Sequence, residues 1–344
     1  MSMPPLAVLT LALASLIPSC TPPSMEEEGK TTAASQRPIK ETTSSYTRPY
    51  GRNAPWNVPV AGLPRHPENE KYADLLWFKA SDRPGNFNIR MQEYTYPVYS
   101  TKDATGFFPV ETDWPSNLHE KLIPWNPAWR PAPGSDAQVI VLDVENGKEW
   151  NLYKVKMPFD GVIRAVNANL VPGDYRTRVE GFAPSRGVGI PYLAMLVRPE
   201  EIVQGSIDHA LSMPIRNPSG QYYVPPATKL ENATGEVGIP EGMRFAIDVT
   251  DDEIEEWVSG LDVPLSQKRA ARIIASALRD YGWFITDVSG SAGFQFESLV
   301  SADDDWERVG LDVVRRGYAV YPRDLLDGLI TRDRVYVIVD SEKY

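Results

Sequence analysis

The chain has 344 residues, enough for one large domain or two small ones, and carries a formal net charge of −11. That charge excludes the basic stripe a nucleic-acid partner requires. One cysteine excludes a disulfide framework, while 31 prolines, 9 tryptophans and 16 tyrosines favour short strands and fixed turns over a helical bundle.

The chain opens on an apolar run, Leu6–Ile17, followed by Pro18-Ser19-Cys20. A run of about a dozen residues is too short to span a bilayer of roughly 30 Å, but it matches the core of an export signal. Residues 1–19 therefore read as a signal peptide. Cys20 reads as a lipidation site that would tether the mature protein to a membrane outside the cytoplasm. Two departures from the lipoprotein pattern, a start without Lys or Arg and Pro18, leave a plain secretory signal as the alternative. Residues 20–55 contain Glu26-Glu27-Glu28 and a Thr/Ser/Pro-rich run without apolar periodicity, the composition of a disordered linker.

A single β-rich globular domain is expected over 56–344. Residues 67–79 predict a short helix with Tyr72, Leu75 and Leu76 on one side. From about 87 to 185 the chain breaks into short strand-like runs: Asn88–Met91, Tyr96–Tyr99, Val139–Asp143, Trp150–Val155 and Gly161–Ala165. Val139-Ile140-Val141-Leu142 is apolar on both faces and reads as a central strand. Asn146-Gly147 predicts a hairpin with a type I′ turn. Pro199-Glu200-Glu201 opens a short helix that Gly205 closes. Further strands are expected at Tyr222–Val224 and Arg244–Asp248. Ser266 is the expected N-cap of a helix carrying Ala270, Ile273, Ile274, Ala277, Leu278 and Tyr281, with Gly282 ending it. Strands follow at Phe284–Asp287 and Gly293–Ser298. Asp303-Asp304-Asp305 reads as a solvated acidic turn, then come a helical turn at Pro322–Leu326 and a last strand at Arg334–Val339. The fold class expected is mainly β, a β-sandwich or jelly-roll with a few helical decorations, with an irregular α+β domain as the alternative.

Among the three histidines, His209 stands out, because Ile207-Asp208-His209-Ala210-Leu211 implies partial burial beside a carboxylate. Such an imidazole serves as general acid or base, or else as a core residue bonded to a backbone carbonyl. Glu201 and Asp208 are the candidate partner carboxylates. Arg198, three residues before Glu201, is a candidate clamp for an anionic sugar or a partner of Glu201 itself. Asp143 ends the buried strand and either faces a cleft or organises the next turn. Trp150, Tyr153, Tyr222 and Tyr223 offer sugar-stacking rings, or simply fill a core. The chain carries no zinc-protease, nucleophile-elbow or phosphate-loop motif, and neither metal nor cofactor is expected.

In this order, Trp56-Asn57, Val141-Leu142-Asp143, Gly189-Ile190-Pro191, Arg198-Pro199-Glu200-Glu201-Ile202, Gly205, Ile207-Asp208-His209-Ala210-Leu211, Pro225-Pro226-Ala227 and Gly242-Met243-Arg244-Phe245 carry a resemblance. It extends through the Ala270–Tyr281 helix with Gly282 to Asp304-Asp305-Trp306. These segments resemble an uncharacterised family of secreted bacterial β-rich proteins with a His-Ala-Leu segment. The resemblance implies an extracellular β-rich architecture, brings no activity with it, and gives weight to Arg198, Glu201 and His209. The function expected is a surface-tethered carbohydrate-active enzyme, a hydrolase or lyase of an extracellular polysaccharide. The alternative is a non-catalytic glycan-binding or structural cell-envelope lipoprotein.

Overall fold

The computed structural model describes residues 50–51, 53–173, 186–231, 234–311, 314–316, 319–321 and 325–339. The expected signal peptide, Cys20 and nearly all of the linker lie outside the described residues, as do three residues of the turn expected at Pro322–Leu326.

In chain order the strands are β1 (Asn88–Arg90), β2 (Val98–Ser100), β3 (Gly106–Thr112), β4 (Leu122–Trp125), β5 (Val139–Asp143), β6 (Lys148–Tyr153), β7 (Ile163–Ala165) and β8 (Asn167–Leu170). They continue with β9 (Leu211–Ile215), β10 (Arg244–Ile247), β11 (Trp283–Val288), β12 (Gly293–Gln295), β13 (Val314–Arg316), β14 (Ala319–Tyr321) and β15 (Val335–Ile338). The helices are α1 (Asn69–Lys79), α2 (Pro199–Gln204), α3 (Asp251–Gly260), α4 (Leu265–Asp280) and α5 (Leu299–Arg308).

Two four-stranded sheets dominate, ordered β2-β5-β6-β8 and β15-β10-β11-β9. In each, one pairing is parallel (β2 with β5, β9 with β11) and the others are antiparallel. A jelly-roll is built from antiparallel strands, so these pairings do not form one. They give a mixed α/β fold that is rich in strand.

β5 has the two-sided burial its apolar run implies. Val139 and Val141 pack with Trp125, Trp129 and Leu152, while Ile140 and Leu142 pack with Tyr96, Tyr192 and Leu196. The hairpin to β6 forms, with Asp143 opposite Lys148. Its turn is not type I′: only Gly147 has positive φ, and Asp143 holds the loop by accepting from the Asn146 backbone N–H at 3.1 Å and from its Nδ2 at 2.7 Å. A longer loop relieves Asn146 of the left-handed conformation a two-residue turn would impose.

The second sheet carries α4 on one face. Ala270, Ile274, Ala277 and Leu278 join Phe245, Trp283, Ile285 and Phe294 in the largest core cluster. The alternation continues on β11, where Phe284 points the other way, into a cluster with Trp56, Ile190 and Ala210. The N-cap of α4 is Pro264 rather than Ser266, so Ser266 sits inside the first turn. α3 begins in a capping box, Thr250 accepting from the Glu253 backbone N–H at 3.2 Å and Glu253 accepting in return from the Thr250 backbone N–H at 2.8 Å. Tyr222–Val224 forms no strand, only a bridge between Tyr223 and Glu241. Asp303–Asp305 lies within α5 rather than in a turn.

Candidate functional site

β6 and β8 show how a functional wall is made from a two-residue period. Trp150, Leu152 and Ala168 turn to the core. The other face carries Asn151, Tyr153, Asn167 and Asn169, with Asn151 opposite Asn169 and Tyr153 opposite Asn167. These four residues line a cleft of about 820 Å³. The facing wall comes from the end of β11 and the loop after it, Asp287–Ser291, with Arg90, Arg186 and Glu231. Asp287 thus sits at the carboxyl end of β11, beside its parallel neighbour β9, where open mixed sheets commonly place ligands.

Three carboxyl groups crowd this end. The Val288 backbone N–H donates both to Glu231 Oε2 at 3.0 Å and to Asp287 Oδ1 at 2.9 Å. Glu231 is in hydrogen-bonding contact with the side chains of Asp287 and Glu241. The Glu231 backbone N–H also donates to Glu241 Oε2 at 3.4 Å. Asp287 keeps some exposed surface yet is enclosed by protein atoms. Burial, then the charge of Glu231, pushes its carboxyl well above the usual range, against the opposing pull of Arg186. Burial likewise pushes Glu231 and Glu241 up to about 7. Carboxyls in such contact cannot all ionise together, so the group retains protons near neutrality.

Polar atoms without partners mark the same cleft. Asn167 Oδ1, Asn169 Oδ1, Gln138 Oε1, Arg90 Nε and Arg186 Nε are all buried and make no hydrogen bond among the described residues. Arg186, Asn169 and Gln138 are only 1%, 4% and 5% exposed. Buried polar groups are rarely left unpaired, and these five belong to residues that line the cleft. Trp114 and Tyr153, with ring centroids 6.0 Å apart, add aromatic surface at its edge.

The residues singled out in the sequence lie elsewhere. His209, 2% exposed, bridges the Ala210 carbonyl through Nδ1 at 2.7 Å and Glu201 Oε1 through Nε2 at 2.9 Å. Glu201 Oε2 accepts from the Arg198 backbone N–H at 2.8 Å, at the start of α2. The Arg198 guanidinium pairs with Glu200 at 2.5 Å and Glu297 at 2.9 Å, in the interior. Asp208 is exposed beside this cluster. Asp143 organises the β5–β6 turn. Trp150 faces the core, because Asn151 and Tyr153 take the cleft face. Tyr222 and Tyr223 are partly exposed, and the Tyr222 hydroxyl lies 2.9 Å from that of Tyr72. Of the four aromatic residues considered, Tyr153 alone lines the cleft.

A signal for the missed wall was present. Asparagine is poorly suited to strands, yet Asn167-Ala168-Asn169-Leu170 alternates it with apolar residues. Nothing local marks Glu231 or Asp287.

Among the described residues, no group of three or more His, Cys, Asp or Glu is arranged to hold a metal ion, and no helix is long and apolar enough to cross a membrane. No protein-family model matches the chain, and neither a curated protein nor a solved structure does. Function therefore has to be read from the chemistry of the cleft.

Proposed function

We propose that the protein is a carbohydrate-active enzyme that cleaves an extracellular polysaccharide in this cleft. One observation carries the reading: a proton-retaining carboxyl group, Asp287 with Glu231, shares a polar cleft with amide and guanidinium side chains. A carboxylic acid that stays protonated near neutrality is the proton donor that glycosidic bond cleavage needs.

Glycosidase carboxyl pairs stand roughly 5–10 Å apart, so two carboxyls in hydrogen-bonding contact act as one proton-holding unit. In this reading Asp287, with Glu231 against it, protonates the leaving glycosidic oxygen as its bond to the anomeric carbon breaks. Asp136, also in the cleft lining, takes a proton from the water whose oxygen attacks that carbon. The proton gained by Asp136 and the one lost by the pair balance through solvent, and the sum is hydrolysis. The asparagine wall orients the sugar hydroxyls, and Tyr153 and Trp114 support its apolar faces.

Export and a lipid tether at Cys20 belong to the same proposal, supported by the N-terminal sequence alone. The test is a polysaccharide panel with the wild-type protein, Asp287→Asn and His209→Ala. New reducing ends that vanish with Asp287→Asn by about a hundredfold or more are expected. Ultraviolet absorbance of unsaturated uronates would instead indicate a lyase. Retention of a glycan that is never cleaved would support a binding protein, the reading the asparagine wall favours if the carboxyls are idle. Activity lost only in a well-folded His209→Ala variant would refute the site.

A further inference from the structure

We propose that Trp114 forms an outer sugar subsite at the mouth of the cleft, so that the site takes a glycan chain long enough to reach from the carboxyl end to this indole. The subsite rests on the reading of the cleft as a glycan site and narrows the substrate to extended chains.

The cleft has a buried end and an open one. At the buried end Asn151, 1% exposed, accepts from the Tyr192 backbone N–H through Oδ1 at 2.9 Å. Arg186, whose charge acts on Asp287, donates to the Tyr192 carbonyl at 3.0 Å. Asp287 therefore belongs with this end. Two residues along β6, an advance of about 7 Å, Tyr153 is half-buried. Trp114, its ring centroid 6.0 Å from that of Tyr153, is 54% exposed. The wall thus runs outward from the carboxyls, through Tyr153, to an aromatic surface open to solvent.

The Trp114 backbone is fixed although its indole is exposed. Its N–H donates to the Val166 carbonyl at 2.9 Å, and the Asp113 N–H donates to the Ala165 carbonyl at 3.1 Å. These bonds extend the β3–β7 pairing past Thr112 and Ala165. The Trp114 carbonyl accepts from Thr112 Oγ1 at 2.8 Å. Beside it, Lys156 Nζ donates to both carboxylate oxygens of Asp113, at 2.8 and 2.9 Å. A large aromatic ring on a fixed backbone offers stacking area with little conformational entropy left to lose on binding. Sugar rings carry apolar CH faces that pack on such a plane. Lys154 Nζ sits over the Tyr153 ring, 5.1 Å from its centroid, so Trp114 offers the larger uncovered ring at the mouth.

The experiment measures affinity and cleavage by the full-length protein on xylan, mannan, mixed-linkage β-glucan and polygalacturonate, and on oligosaccharides of each from disaccharide to octasaccharide. For the wild type, kcat/KM is expected to rise with chain length until both ends of the cleft are filled. Trp114→Ala should raise KM, or Kd for a glycan bound but not cleaved, about tenfold on long chains, with a penalty that shrinks as the chain shortens. Trp114→Phe should recover part of that loss, because a smaller ring still stacks. A merely structural role would lower every rate alike. If Trp114→Ala does not fold, Trp114→Phe and the wild-type length series still decide. A penalty equal at every chain length, or a wild type indifferent to length, would overturn the subsite and leave the glycan-cleavage reading standing. Neither binding nor cleavage of any glycan would overturn both.

Discussion

Gly187 lies in the cleft where an added Cβ would fall 2.3 Å from Glu231 Cδ. Real side chains do not approach so closely, so Glu231 must swing away or the loop must shift. Gly187→Ala is expected to cut activity by about tenfold to a hundredfold through displacement of Glu231 from Asp287. A pH–rate profile checks it: the limb contributed by the carboxyl pair should move, whereas simple loss of folded protein would scale the whole profile. His209 tells the complementary story at this scale. A partly apolar context in sequence suggested an imidazole ready for chemistry. The fold uses both ring nitrogens to tie Glu201 and the Ala210 carbonyl together.

At the scale of elements, β8 and α3 separate function from stability. On β8 the inner face, Ala168, belongs to the core, and the outer face presents unpaired asparagines to the cleft. Replacing a buried unpaired amide with an apolar side chain removes a desolvation cost. Asn169→Leu is therefore expected to leave the melting temperature unchanged or higher while weakening glycan binding; a fall in both would mean that the amide is structural. On α3, Thr250→Ala breaks the capping box and should destabilise the protein by about 1 kcal/mol in chemical denaturation, with glycan cleavage unaffected. Legibility followed the same division. α2 opens at Pro199 and closes at Gly205, and α4 covers most of its expected span, because terminal signals and 3.6-residue periodicity are local. β3, β4 and β9 went unrecognised. In β3 the burial does not alternate cleanly, and β9 is buried along its whole length, so neither strand shows a two-residue period.

For the whole molecule, the titration of buried carboxyls governs stability against pH. Asp287, Glu231, Glu241, Glu149 and Glu200 are all raised, chiefly by burial. A group whose folded pKa exceeds its unfolded value stabilises fully below the unfolded value and loses that contribution as pH rises through the folded one. For Glu231 and Glu241 the window runs from the unfolded value of 4.5 to about 7. A shift of that size is on the order of 3 kcal/mol for one group. Glu68, Glu70, Asp82, Asp160, Glu253 and Glu255 are lowered by their partners and act in the opposite sense, but they lie at the surface and are screened by solvent. The buried set wins, so the melting temperature should fall as pH rises from 5 to 8. Glu231→Gln should flatten that fall; an unchanged slope would mean that the pair does not titrate in this range.

Composition encodes the acidic, disulfide-free character of the chain, and local periods encode the two-sided strand at Val139–Leu142, the α4 stripe and the ends of α2. The cleft was decided by tertiary structure alone. Asp287, Glu231, Arg90, Arg186 and the asparagines of β6 and β8 come from distant parts of the chain, and only sheet pairing and packing bring them within reach of one another. Their unusual protonation follows from that enclosure, because a carboxyl group acquires a raised pKa from the burial and neighbours the fold supplies, not from its place in the sequence.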